Sequence, residues 1–303
     1  VARQGEGVTV TAINWLGSQP GHMQYGEFLL GPGTAWRWDE LQGWEETPGL
    51  DSGSVLKASD HGAWPGIFYA QTRTVTASLV VRCEPGTMNG TLRQLAAATP
   101  IDSSVEVPLV VQLDDDAPLV VFARCTRRAF NVARGHRTGL ARGAIEFEAS
   151  DPRRYGLLEQ SQTTGLPQPE PGLTWPLVFP LDFGVPGSTG NLDAFNSGDA
   201  PAHPVFTIQG PCSQPLIMNL TTGSLLEYDI DLSSTDTLYI DTNQGTVTLN
   251  GTTANRLYTA TTRSQPEGAF SFLPGSNAVA FRSDDSSPDP ASTLTVTWRS
   301  AFW

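Results

Sequence analysis

From about residue 196 onward, short β-type runs alternate with turn dipeptides on a regular beat and almost without charge. LYI at 238–240 leads to NQG at 243–245, and TVTL at 246–249 runs straight into NG at 250–251. FSFL at 270–273 meets PG at 274–275, AVAF at 278–281 meets a polar loop, and TLTVTW at 293–298 ends the series. Alternation of apolar and polar side chains puts one face of each strand on a core and the other in water. Asn-Gly is a strong hairpin signal, because both central residues of a type I′ turn need positive φ. A succession of such strands builds a β-sandwich. No chemistry-bearing cluster interrupts the pattern, so this region reads as a surface.

A chain of 303 residues is long for one core and natural for two domains. Its 30 Gly and 23 Pro favour many short strands over long helices. No run approaches the roughly 18 apolar residues of a membrane span. Residues 1–10 lack both a basic n-region and an apolar h-region, so no secretory signal is expected there. The three cysteines form no CxxC. Cys83 and Cys125 lie in apolar β-like runs and read as buried thiols, a disulfide between them being the lesser reading; synthesis in a reducing cytoplasm follows.

Net charge is −13, unevenly spread. Up to Tyr155 there are 14 basic and 17 acidic residues, giving −3; from Gly156 onward there are 4 and 14, giving −10. An acidic surface repels phosphate, which argues against nucleic-acid binding by the second half.

The first half mixes strands, at 8–16, 73–83 and 143–149, with one short helix at 89–98 that Asn89 caps and Pro100 stops. On the second strand Val75, Ala77, Leu79 and Val81 share a face. Runs 107–113 and 117–125 form a hairpin around Asp114, Asp115 and Asp116, a solvated turn with nothing nearby to complete a calcium loop. Proline density then places a connector at 159–187, between an N-terminal domain at 1–158 and a C-terminal one at 188–303.

Four scattered histidines exclude metal-ligand spacing. His61 beside Asp60 invites an acid–base reading, but a histidine ordering a Gly/Pro turn is the stronger one. No nucleophile elbow or dinucleotide loop is present. Neither catalytic residues nor a cofactor or metal is expected.

Two features remain. Arg124, Arg127, Arg128, Arg134, Arg137 and Arg142 form a basic stretch. It reads as an arm for an acidic partner or nucleic acid, as a solvated hairpin paired with nearby acids, or as a subunit contact that meets the acidic surface of the next copy. The tryptophans are the other. Trp298 alternates with Leu294 and Val296 and is expected in the core, whereas Trp36, Trp38 and Trp44 are expected in a charged loop that forms an interaction surface. Trp175, Tyr239, Tyr258 and Trp303 are the candidates for contact with a glycan or partner.

The motifs DHGAWPG at 60–66, RTVTASLVV at 73–81 and FEASDPRRY at 147–155 resemble the opening domain of siphophage distal tail proteins, including actinophage minor tail proteins. NSGDAPAHPVFTIQGP at 196–211 resembles the entry into that family's second domain, and residues 241–251, 273–277 and 295–299 continue it in order. The resemblance implies a mainly β, two-domain chain: an N-terminal β-barrel-like, split-barrel domain with one short helix, then a C-terminal galectin-like β-sandwich. It also implies a structural virion protein at the tail tip and no enzyme. Copies, usually six, would form a ring joining the tail tube to the tip hub and to receptor-binding or other minor tail proteins, with DNA passing through its lumen. A carbohydrate-binding adsorption protein recognising host cell-wall glycans is the alternative. The 36–44 segment and the arginine stretch match no motif of the family.

Overall fold

The computed structural model describes residues 13–101, 104–168, 187–251 and 253–303. Contacts divide the chain between Leu157 and Leu158 into two compact units, both mainly β. Expected features at 8–12 and 169–186, Trp175 among them, lie outside the described residues.

The N-terminal unit is one antiparallel sheet. Its strands run in the order Phe28–Leu30, His22–Tyr25, Val107–Gln112, Leu119–Phe130, Leu140–Ala149, Arg73–Arg82, Trp36–Gln42, with Arg154–Gly156 pairing alongside Leu119–Phe130. The long strand Leu119–Phe130 joins two halves: its start pairs with Val107–Gln112, and its end pairs with Leu140–Ala149 beyond a bulge between Cys125 and Arg127. The sheet is open and does not close into a barrel. The two edge strands come together only through their connecting turn, where Gly31 N donates to Trp36 O at 2.7 Å and the Phe28 and Trp36 rings meet edge-on at 5.5 Å.

The expected helix is present as Met88–Ala98, but its N-cap is Thr87, so Asn89 sits inside the first turn. Met88 and Leu95 pack it onto the core face of Val75, Ala77, Leu79, Val81, Ile145 and Phe147. Each such fully buried large side chain contributes about 1.5–3 kcal/mol. The residues 36–44 reverse the expectation of an exposed loop. Trp36–Gln42 is a strand, Trp36 and Trp44 are buried in the core, and Trp38 Nε1 donates to Gly21 O at 2.8 Å. Alternation had been masked by Asp39 and Glu40, where a bulge shifts the register against Arg73–Arg82.

Arg73, which opens the strand Arg73–Arg82, is only 1% exposed. Its guanidinium donates to the carbonyls of Pro152, Gly43, Trp44 and Glu46 at 2.6–2.9 Å. Gly43 has φ +78°, and a Cβ there would lie 1.9 Å from Thr74 O, so only glycine lets the loop come this close. Beside Pro152, Asp151 takes both Arg153 Nε and Nη2, at 2.8 and 2.9 Å, and the Tyr155 hydroxyl at 2.6 Å. Burial alone would raise the Asp151 pKa, but those bonds outweigh it and leave the carboxyl below its ordinary value. The stabilisation is therefore present above the unfolded carboxyl pKa and is lost as pH falls through the lowered folded value. Asp151→Asn is expected to lower stability at pH 7 by about 1–3 kcal/mol and to cost less near pH 2. Urea unfolding at both pH values checks it, and an equal loss at each would refute the linkage.

The C-terminal unit is a sandwich of two antiparallel sheets. One runs in the order Gln160–Gly165, Thr293–Trp298, Val205–Gln209, Thr237–Asp241, Thr246–Leu249, Ala254–Asn255; the other runs Asn191–Asn196, Gly275–Arg282, Leu216–Asn219, Leu225–Glu227. Gln160–Gly165 was expected within the connector and is instead an edge strand here, paired with Thr293–Trp298 along its whole length. Phe206, Phe270, Phe272 and Trp298 fill the centre with edge-to-face contacts, Phe206–Phe270 at 5.1 Å and Phe272–Trp298 at 5.8 Å. Trp298 is buried, as its alternation predicts. Asn250 and Gly251 both have positive φ, the conformation the Asn-Gly dipeptide announces.

Candidate interaction surfaces

Between Gly49 and Gln71 the N-terminal unit extends a two-stranded ribbon. Leu50–Ser52 pairs with Phe68–Ala70, and Val55–Leu56 pairs with Ala63–Trp64. Gln71 N donates to Gly49 O at 2.7 Å at its base. The tip holds the DHGAWPG motif. There His61 N donates to Asp60 Oδ1 at 2.8 Å, Lys57 N donates to Gly62 O at 3.1 Å, and Lys57 Nζ lies over the Trp64 ring at 5.2 Å. His61 enters these bonds through its backbone N–H.

The ribbon's composition is unlike that of a solvated hairpin. Leu50, Val55, Leu56, Trp64, Ile67, Phe68 and Tyr69 are all more than half exposed, from 51% at Leu50 to 81% at Leu56. A two-stranded ribbon is marginal in water by itself, and a concentration of large apolar side chains on a soluble protein marks a contact surface.

The six arginines do not form one arm. Arg124, Arg127 and Arg128 lie on Leu119–Phe130 and Arg142 on Leu140–Ala149, both integral to the sheet; only Arg134 and Arg137 sit on the connecting 3₁₀ turn Arg134–Thr138. Register places Arg124 opposite Glu148 and Arg127 opposite Glu146, while the bulge turns Arg128 to the other face, opposite Ile145. Arg128 Nη1 donates to Thr99 Oγ1 at 3.0 Å, at the carboxyl end of the helix, where a cation is favoured. Arg127, Arg134, Arg137 and Arg142 are exposed, and among the described residues none of the six arginines forms an ion pair.

On the sandwich, Tyr239 lies half-buried on the outward face of the six-stranded sheet. Its register neighbours are Thr207 and Thr248, and the row continues to Thr295 and Thr163. Tyr258 stands apart on the 3₁₀ turn Leu257–Thr259 and is 78% exposed. Trp303 groups by contacts with the N-terminal unit.

The Cys125 and Cys212 thiols are unsuited to nucleophilic chemistry. All three cysteines are free; burial raises Cys125, and burial together with Asp285 and Asp231 pushes Cys212 up to about 12. Among the described residues no cluster of His, Cys, Asp and Glu is placed to hold a metal, and no helix is long and apolar enough to cross a membrane.

Residues 197–302 match the family model described as the siphovirus-type tail component, C-terminal domain. Among solved structures, the crystal structure of the SPP1 Dit (gp 19.1) protein, titled a paradigm of hub adsorption apparatus in phages infecting Gram-positive bacteria, aligns with a TM-score of 0.62 at 13% identity. That alignment covers 93% of this chain and 99% of the other, so the two share a fold across both units. Two structures of the phage P2 baseplate in its activated conformation also align. The one with Ca gives a TM-score of 0.47 at 12% identity, covering 89% of this chain and 93% of the other. The one with Sr gives 0.48 at 12%, covering 93% and 98%. No curated protein matches.

Proposed function

We propose that this chain, which carries the C-terminal domain of a siphovirus-type tail component over residues 197–302, is a structural subunit of a phage tail-tip hub. Its copies close into a hexameric ring at the virion tail tip. The ring joins the tail tube to the tip hub and to receptor-binding and other minor tail proteins, and its lumen passes DNA. The protein turns over no substrate; its work is assembly.

The apolar ribbon at 50–70 carries this reading. Seven large apolar side chains held in water are costly unless something covers them, and in a ring each ribbon lies on the next subunit. Such a head-to-tail contact closes when its rotation divides the circle evenly. The exposed Arg127, Arg134, Arg137 and Arg142 add charge for an acidic neighbour, and a net −13 supplies acids on every copy.

Native mass across a concentration series tests this directly. Six copies of the 32.5 kDa chain come to about 195 kDa, the expected species. A single-chain mass at every concentration would overturn self-assembly as a property of the chain.

A further inference from the structure

On the C-terminal unit a surface depression of about 440 Å³ lies between Gln214, Asp229, Tyr258 and residues 259–262. Its backbone is fixed: Asp229 N donates to Thr259 O at 2.7 Å, Gln214 N donates to Ile230 O at 3.0 Å, and Tyr228 bridges Ala260. Thr261 closes one side, its hydroxyl donating to Glu227 Oε2 at 2.6 Å. Gln214 holds a left-handed φ of +46°, costly for a side chain other than Gly, Asn or Asp. Its amide Nε2 donates to Asp229 Oδ1 at 3.1 Å, which orients both groups and leaves Asp229 Oδ2 and the Tyr258 hydroxyl without a partner among the described residues.

The chemistry of the lining is selective. An exposed aromatic face, a fixed carboxylate, a fixed carboxamide and threonine hydroxyls surround the depression, and no cation lines it. The nearby Arg263 is committed to Glu227 Oε1 at 2.9 Å. An anionic ligand would meet Asp229 uncompensated, and one carboxylate is too few for a metal. A neutral ring with an apolar face and neighbouring hydroxyls satisfies every group.

We infer that this depression binds a neutral pyranose. The sugar's axial C–H face stacks on Tyr258, and two adjacent hydroxyls donate to Asp229 Oδ2 and Gln214 Oε1. The site stands independently of ring assembly, because it lies wholly on the C-terminal unit and shares no residue with the ribbon.

The test is calorimetric titration of the full chain with lactose, maltotriose, chitotriose and mannotriose, each to about 10 mM, which covers the weak range of a single shallow contact. At least one is expected to bind with a millimolar-range dissociation constant. Tyr258→Ala and Asp229→Ala should each weaken that binding by about tenfold or more. Phe195→Ala, which removes another exposed aromatic of the same unit, should leave it unchanged. Tyr258 is a surface residue, and its variant should keep the native mass of the parent, which separates loss of the sugar site from loss of the ring. Binding by none of the four sugars, or binding that survives both substitutions, would overturn the inference.

Discussion

With Leu56, Trp64 and Phe68 all replaced by aspartate, the protein is expected to run at the mass of one 32.5 kDa chain wherever the parent assembles. None of the three belongs to the core of its unit, and each is more than 60% exposed, so the folded subunit loses almost nothing. The interface loses apolar burial of about 1.5–3 kcal/mol per side chain and must also bury new carboxylates. Even the low end is worth about a thousandfold in association. Light scattering coupled to size exclusion reads the mass, and an unchanged urea midpoint shows that the subunit is intact. Persistence of the parent assembly would remove the ribbon from the interface and leave the hub reading without its main support.

Arg73→Ala is expected to cost about 3–5 kcal/mol, among the largest effects of any single substitution in this chain. The side chain satisfies four carbonyls from two separate segments, and deleting it leaves those acceptors desolvated in the interior. Burial, with Arg154 close by, lowers the pKa of Arg73 from its ordinary value, yet an arginine stays charged throughout the accessible range. Arg73→Lys should recover only part of the loss, because an ammonium cannot span the Gly43, Trp44, Glu46 and Pro152 oxygens with a planar fork. Denaturant unfolding of the two variants measures both effects; a loss under about 1 kcal/mol for Arg73→Ala would show that water replaces the guanidinium at little cost.

The physical content of the sequence motifs becomes plain at these residues. The arginine opening the strand at 73 and the DPRRY run at 151–155 were readable as motifs, and the structure gives each a mechanical role as a buried anchor. Strands with clean alternation, such as Arg73–Arg82 and Thr293–Trp298, were legible because one face meets a core. Legibility failed where the two-residue period breaks. Bulges at Asp39 and Thr126 shift the alternation by one residue, so Leu41 rather than Glu40 continues the face of Trp36 and Trp38, and Arg127 rather than Arg128 shares the face of Arg124. The ribbon failed for another reason. Its paired segments are two or three residues long, too short for a period, and its apolar side chains meet no core within the chain. The depression beside Tyr258 was visible only as a lone tyrosine, since Gln214 and Asp229 reach it from other segments of the chain.

The edge strand Gln160–Gly165 also decides where this protein can be cut. A fragment beginning at residue 188 keeps the whole stretch matched to the tail-component family, yet it strips Thr293–Trp298 of one of its two partner strands along six residues. The bared strand then offers a row of unpaired N–H and C=O groups to any neighbour, the usual template for edge-to-edge aggregation. A fragment beginning at Leu158 carries its own edge cover. The proline-rich stretch therefore falls inside the sandwich's own sequence, and for anyone excising the domain the safe cleavage point lies before it.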